Sequence, residues 1–278
     1  MFIMSRILVP VDFSNRSEYA AKLAAKIGKE TNCEIYLLHL VEIPSGIVDM
    51  GAGSNFSIPE SMMYLRKVKE KIIKLRDQFF PEECTVKYAI RFQNPFEGIQ
   101  QYAKKIDASL IIMGSQGLSD FEEMIIGSNT EKIVRTSEIP VIVVKKDSEK
   151  FKLKDLVYAS NFKDDNKESF KKFLDFAKLF RSKIHLLKVN TIGKFESSAT
   201  TKQRIKAFVK DFELPKSTIN VYNDASVVKG ITNFSSEMNA DLIALSTHGR
   251  SGLSNLFNGS ITKSVSKNVL KPVITFKV

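Results

Sequence analysis

The stretch GSQGLSDFEEMIIGSN, residues 114–129, follows an apolar run at residues 110–113. Its outline returns 132 positions later as STHGRSGLSNLFNGSI, residues 246–261. Both copies are irregular and rich in glycine and serine, which is typical of a loop rather than of a helix or strand. Two copies of one irregular loop indicate that the chain contains a duplicated unit.

Two earlier segments repeat as well. ILVPVDF, which starts at Ile7, matches LVYASNF, which starts at Leu156. IYLLHL, which starts at Ile35, matches IHLLKV, which starts at Ile184. The two members of each pair are 149 positions apart, whereas the two loops are 132 apart. The second copy has therefore lost residues between its second strand and its loop. The charged segment KKDSEKFKLKD joins the copies, and the boundary is placed near Ser148. The predicted domains are residues 1–147, here the first half, and residues 148–278, the second half.

Apolar runs alternate with amphipathic segments in the order β-α-β-α-β-α-β-α-β, and the second half follows the same plan. The runs are continuously apolar rather than alternating, which is typical of strands buried on both faces. The predicted class is therefore α/β: two tandem doubly wound domains, each a five-stranded parallel sheet with helices on both faces. This arrangement is Rossmann-like.

Composition limits the class of protein. With 43% hydrophobic residues in 278, the chain can form packed cores. Its apolar runs are far shorter than the roughly 20 residues of a membrane-spanning helix. Two cysteines without metal-ligand spacing favour reduced thiols, so the expected location is the cytoplasm.

Positive charge is concentrated in the second half. The first 147 residues hold 19 Lys and Arg against 19 Asp and Glu, which leaves 23 and 12 of the totals of 42 and 31 beyond them. A basic half could attract an acidic protein, an anionic lipid or nucleic acid. Its lysines are spread along helices, which favours an ordinary solvated face, and nucleic acid is not a predicted partner.

The repeated loop points to a ligand site. In a doubly wound sheet, ligands bind beyond the carboxyl ends of the strands where the winding direction reverses. Asp12 follows the first strand there, and the loop from Gly114 follows the fourth. A helix that starts near Gly127 would direct free N–H groups at a phosphate. Asp12 could accept hydrogen bonds from a ribose or base, or hold a metal ion. A simpler alternative is that the glycines only form turns and Ser128 only caps a helix.

The motifs VPVDFS, LLHLVE, IIMGSQG, GSN and IPVIVVK in the first half, with LSTHGRSGLSNLFNGS and KPVITFKV in the second, resemble the universal stress protein family, tandem type. The resemblance covers nearly all of both halves and implies a fold similar to that of adenine nucleotide alpha hydrolases. In the family's ATP-binding members, G-x-x-G-x9-G-(S/T) holds the phosphates and ribose. The implied cofactor is ATP, ADP or AMP, with or without Mg²⁺. The implied site residues are Pro10, Val11, Asp12, Leu40, Met113, Gly114, Gln116, Gly117, Gly127, Ser128, Asn129 and Thr130.

The second half departs from the pattern. Asn161 stands where Asp12 stands in the first half, and Ser246 stands where Gly114 does, while Gly249, Gly259 and Ser260 are kept. We expect a degenerate or differently occupied second site, with Gly259 and Ser260 equally explained as an inherited helix cap.

No catalytic constellation is evident, since His39, His185 and His248 lack a serine or cysteine partner with a supporting acid. The leading hypothesis is a stress-response protein that binds an adenine nucleotide in its first half without dedicated catalysis. Alternatives are a slow ATPase or autophosphorylating protein, and a non-nucleotide adaptor that binds an acidic partner or lipid through the basic second half. In the family the fifth strand forms the dimer contact, which implies an internal pseudo-dimer of the two halves and allows a homodimer of chains.

Overall fold

A computed structural model describes residues 4–42, 58–115, 127–147, 151–247, 264–265 and 270–278. The elements of the first half are β1 (Arg6–Pro10), α1 (Asn15–Thr31), β2 (Glu34–Val41), α2 (Ile58–Phe79), β3 (Val86–Phe92), α3 (Pro95–Lys105), β4 (Leu110–Gly114), α4 (Ser128–Thr136) and β5 (Val141–Val144). Those of the second half are β6 (Asp155–Ala159), α5 (Lys167–Leu179), β7 (Lys183–Asn190), α6 (Ser198–Val209), β8 (Ser217–Asn223), α7 (Val227–Glu237), β9 (Leu242–Thr247) and β10 (Val273–Lys277). Short 3-10 helices lie at Asp164–Asn166 and Ile192–Lys194.

All ten strands form one sheet in the order β3-β2-β1-β4-β5-β10-β9-β6-β7-β8. Within each half the pairing is parallel, and β5 pairs with β10 antiparallel through Ile142 and Ile274. Across the sheet, the strand order of the second half is therefore the reverse of that of the first half, and the two halves join through their fifth strands, β5 and β10. The predicted α/β class of two parallel five-stranded units is confirmed.

Helices cover both faces of the sheet. On one face, α1 and α2 bury residues such as Leu23 and Ile72 in a core that continues into the second half. On the other face, α3 and α4 bury Ile99 and Ile133. Because the strands are apolar on both sides, each face removes hydrocarbon surface from water, at about 25 cal/mol per Å².

Left-handed backbone residues reveal how closely the halves correspond. Non-glycine residues with positive φ in the described chain are Phe13, Asn32, Asp107, Phe162, Arg181 and Asn239. They form three pairs, two at a spacing of 149 and one at 132, the same spacings as the sequence repeats. The two halves therefore share local backbone geometry at the end of the first strand and after two helices.

Candidate functional site

The site lies where β1 and β4 end side by side. β1 pairs with β2 on one side and with β4 on the other, so the winding direction of the first half reverses between β1 and β4. The segments that follow the two strands must separate toward opposite faces, which opens a crevice at the carboxyl edge of the sheet. The structure thus brings Asp12 and Gly114, 102 positions apart in sequence, to the same edge.

Asp12 forms a tight turn that starts α1. Its Oδ1 accepts hydrogen bonds from the Ser14 N–H at 3.0 Å and the Ser14 hydroxyl at 2.6 Å. Ser14 in turn caps α1, as the sequence predicts, by accepting from the Ser17 N–H. The other carboxylate oxygen, Oδ2, accepts no hydrogen bond from any residue in the described part of the chain. Asp12 is half-buried and keeps one oxygen available to a ligand.

Phe13 is a feature that sequence reasoning did not single out. Its φ of 65° lies in the left-handed region, which costs a residue with a Cβ about 1–2 kcal/mol. Its ring packs 4.7 Å from the buried His39 ring, and the Lys71 ammonium lies 5.3 Å from the ring centre. The Nδ1 atom of His39 is 2.8 Å from the carbonyl oxygen of Val11. These contacts hold the strained backbone of Phe13 in place beside Asp12. Backbone strain of this kind is often found at functional sites.

Gly114 is required by helix packing. A Cβ at this position would lie 2.8 Å from the Arg16 carbonyl carbon and 2.9 Å from its oxygen, which are backbone atoms of α1. No described glycine has a positive φ. The close contact between β4 and α1 is therefore a sufficient physical reason for a glycine at this position. The assignment of Gly114 to a ligand rests on the family resemblance alone.

The first turn of α4 faces the same edge. The Gly127 N–H donates to the Ser115 carbonyl at 2.7 Å, and the buried Thr130 hydroxyl donates to the Gly114 carbonyl at 3.0 Å. These two bonds fix the helix start against the end of β4. Among the residues that the structure describes, no side chain caps α4, whose N-cap is Gly127. The N–H groups of the first turn, with the positive end of the helix dipole, are therefore suited to an anion.

The remaining assigned residues differ in their exposure to solvent. Ser128 is exposed and Asn129 half-buried at the start of α4. Val11 and Met113 are buried, whereas Pro10 and Leu40 are partly exposed at the ends of β1 and β2. The predicted residues Gln116 and Gly117 lie outside the described residues.

In the second half, three hydrogen-bonded polar side chains stand at buried positions that are occupied by smaller residues in the first half. Ser246 Oγ lies 2.9 Å from the Tyr158 hydroxyl and 2.7 Å from Ser169 Oγ. Tyr158 is fully buried, and burial raises the pKa of its phenol, so it stays neutral and hydrogen-bonded. The first half has Val9, Ala20 and Gly114 at the corresponding positions. Sequence reasoning found Ser246 but not its two partners.

Asn161 reproduces only part of the role of Asp12. Its Oδ1 accepts from the Lys163 N–H at 3.1 Å and from Asn166 Nδ2 at 3.0 Å, which again holds the helix start. Its free atom is an amide nitrogen, which donates rather than accepts. Gly249, Gly259, Ser260 and His248 fall outside the described residues.

The described residues show neither a metal-binding cluster nor a membrane-spanning helix. They contain no group of three or more His, Cys, Asp or Glu that could hold a metal ion. No helix among them is both long and apolar enough to cross a bilayer. Cys33 and Cys84 are free thiols, and burial raises the pKa of each.

The fold defines a duplicated, doubly wound α/β protein, and comparison with known proteins places it further. Its architecture matches a crystal structure of a universal stress protein from Archaeoglobus fulgidus over 99% of this chain and 97% of that one, with a TM-score of 0.74 and 18% identity. That likeness concerns the fold. The family model for universal stress proteins matches twice, at residues 4–145 and 152–277, and the chain belongs to the universal stress protein family.

Relatives match about half of the chain. Universal stress protein MJ0531 of Methanocaldococcus jannaschii is 31% identical over 152 residues, which cover 52% of this chain and 84% of that protein. Stress response protein NhaX of Bacillus subtilis is 27% identical over 166 residues, covering 52% of this chain and all of NhaX. This chain therefore carries two copies of a unit that those proteins contain once within the matched length.

Proposed function

We propose that the first half binds an adenine nucleotide and that the protein acts in the stress response as a nucleotide-dependent regulator without dedicated catalysis. The observation that carries the proposal is the start of α4. Its N-cap is a glycine without a side-chain cap, and it is fixed by Gly127 and Thr130 against the end of β4. A helix start of this kind at a topological switch point suits a phosphate chain.

The residues present fit the parts of a nucleotide. The first-turn N–H groups of α4 and the Ser128 hydroxyl would hold phosphate oxygens. The free Oδ2 of Asp12 would accept hydrogen bonds from the nucleoside, since a carboxylate pairs with a hydroxyl or amino group and repels phosphate. Leu40, partly exposed where β2 ends, would contact the base. The family resemblance assigns the same parts to these positions.

The first test changes Gly127 to Asp. Gly127 has φ −57° and ψ 144°, which any residue adopts, so an aspartate fits and can cap α4 with its own carboxylate. That carboxylate competes for the N–H groups and repels phosphate. We expect G127D to weaken ATP binding about a hundredfold in isothermal titration, with unfolding unchanged or slightly improved.

The matched control is G127N, which caps the helix without adding charge. It should weaken binding less than G127D does, because only competition remains. Failure of the unaltered protein to bind ATP, ADP or AMP would reject the proposal. Equal affinity in G127D and the unaltered protein would remove the nucleotide from the start of α4.

A further inference from the structure

A short segment of the second half presents apolar side chains to solvent. Residues 191–197, here the Ile192 turn, join β7 to α6 at the carboxyl ends of the second-half strands, the opposite edge of the sheet from the crevice. Ile192 is 93% exposed and Phe195 is 74% exposed. A Cβ added at Gly193 would meet no atom within 4 Å, so the tip of the turn stands clear of the rest of the chain that the structure describes.

The Ile192 turn is held in this shape from its base. Residues Ile192–Lys194 form a 3-10 helix, closed by a bond from the Lys194 N–H to the Thr191 carbonyl at 2.9 Å. Ile192 begins this helix and Phe195 follows it directly, so the two exposed apolar side chains flank one short turn. The carbonyl of Glu196 accepts from Asn190 Nδ2 at 2.8 Å, and its carboxylate accepts from the Thr201 hydroxyl at 2.9 Å. The apolar tip is therefore built to face outward.

Basic residues surround the tip. Burial is the main reason that the pKa of Lys188, near the end of β7, is lowered, and Arg204 and Lys194 lower it further. The nearby acid, Glu196, is already paired with Arg204. Lys194, together with Lys202 and Lys206 on α6, is exposed and forms no ion pair with any residue that the structure describes. These cations add to the excess of basic residues in the second half.

We propose that the Ile192 turn docks on an anionic lipid bilayer, with Ile192 and Phe195 inserted between headgroups and the surrounding lysines facing them. A bilayer surface accepts both features at once, because apolar insertion and electrostatic attraction reinforce each other there. A second copy of this chain would bring the same positive half and repel it. Nucleic acid would attract the lysines but offers no apolar layer for Ile192. The proposal is independent of the nucleotide site.

Co-sedimentation of the full chain with vesicles tests the proposal. We expect the chain to sediment with vesicles of phosphatidylcholine and phosphatidylserine but not with phosphatidylcholine alone. I192S/F195S should lower the partition coefficient at least about tenfold, because buried apolar area is lost. K194Q/K202Q should lower it about twentyfold. Raising the salt from about 0.1 M to about 1 M should release the protein, since the Debye length falls to about 3 Å.

The matched control is M62S/M63S. Met62 and Met63 are 66% and 60% exposed, but they lie in the first half, where charges balance. This variant should bind vesicles as the unaltered chain does. Vesicle binding unchanged in I192S/F195S, or equal on neutral and anionic vesicles, would overturn the proposal. Binding to heparin without binding to vesicles would instead assign the basic residues to an acidic polymer, and would overturn it as well.

Discussion

In the first half, Gly114 lies directly against the backbone of α1, whereas in the second half the corresponding Ser246 bonds to Tyr158 and Ser169. The backbone after the first strand has the same conformation in both halves, with a left-handed residue at Phe13 and at Phe162. The first half has Val9, Ala20 and Gly114 where the second half has a buried, hydrogen-bonded tyrosine and two serines. A duplicated scaffold can therefore keep its fold while the packing between its strands and first helix diverges.

The amino ends of the strands also differ between the two halves. In the first half, Glu34 joins Arg6 and Lys87 in exposed ion pairs. In the second half, the fully buried His185 lies between Asp155 and Thr218, at 2.9 Å and 2.8 Å. In the first half, these amino ends lie away from the proposed ligand, which is placed at the carboxyl ends of β1 and β4.

Making the first half resemble the second should have the largest effect on stability. In Gly114→Ser, the new Cβ would lie less than 3 Å from backbone atoms of Arg16, which cannot move without shifting α1. We expect the free energy of unfolding in urea to fall by about 2 to 3 kcal/mol. The reciprocal change, Ser246→Gly, adds no atoms and causes no clash. It should lower the free energy of unfolding only because the hydrogen bonds to Tyr158 and Ser169 are lost. An unaltered urea midpoint for G114S would show that α1 does not press on Gly114.

Removing the serine that bonds to Tyr158 and Ser169 should have a smaller effect. Ser246→Ala leaves the buried Tyr158 hydroxyl without this partner, and we expect a loss of about 1 to 2 kcal/mol. The control is the same change in a Tyr158→Phe background, where no phenol is left unpaired. If S246A costs as much there as in the native background, the Tyr158 bond contributes nothing.

The smallest effect concerns the ion pair at the far edge. Hydrogen bonds from Lys87, then Tyr36, lower the pKa of Glu34 below its ordinary value of 4.5. A carboxyl group whose pKa is lowered on folding adds stability that is fully present above its unfolded pKa and is lost as pH falls through its folded pKa. Lys87→Met should therefore flatten the fall of Tm with pH in the acid range. Lys183→Met, at the second-half position that corresponds to Glu34, should leave that slope unchanged, and a slope unchanged in K87M would contradict the assignment.

Much of the fold could be predicted from the sequence because its signals are local. Apolar runs predicted the strands, and their continuously apolar character predicted parallel pairing with helices on both faces. The duplicated motifs predicted the tandem organisation, which the twofold family match confirms.

The contents of the crevices could not be predicted in the same way. Tyr158, Ser169 and Ser246 come from three different elements, and their bonds exist only once β6 and β9 pair. The reason for Gly114 also depends on how closely α1 packs, which no local pattern records. The strained Phe13 carries no sequence signal, because aromatic residues rarely adopt positive φ. Nucleotide binding in the first half stays a prediction.

The central claim is that only the first half keeps a seat for a nucleotide. Isothermal titration of the full chain with ATP measures it through stoichiometry. The account predicts a single nucleotide per chain, lost in G127D and kept in Asn161→Asp. Two nucleotides per chain, or a single one that survives in G127D, would contradict it.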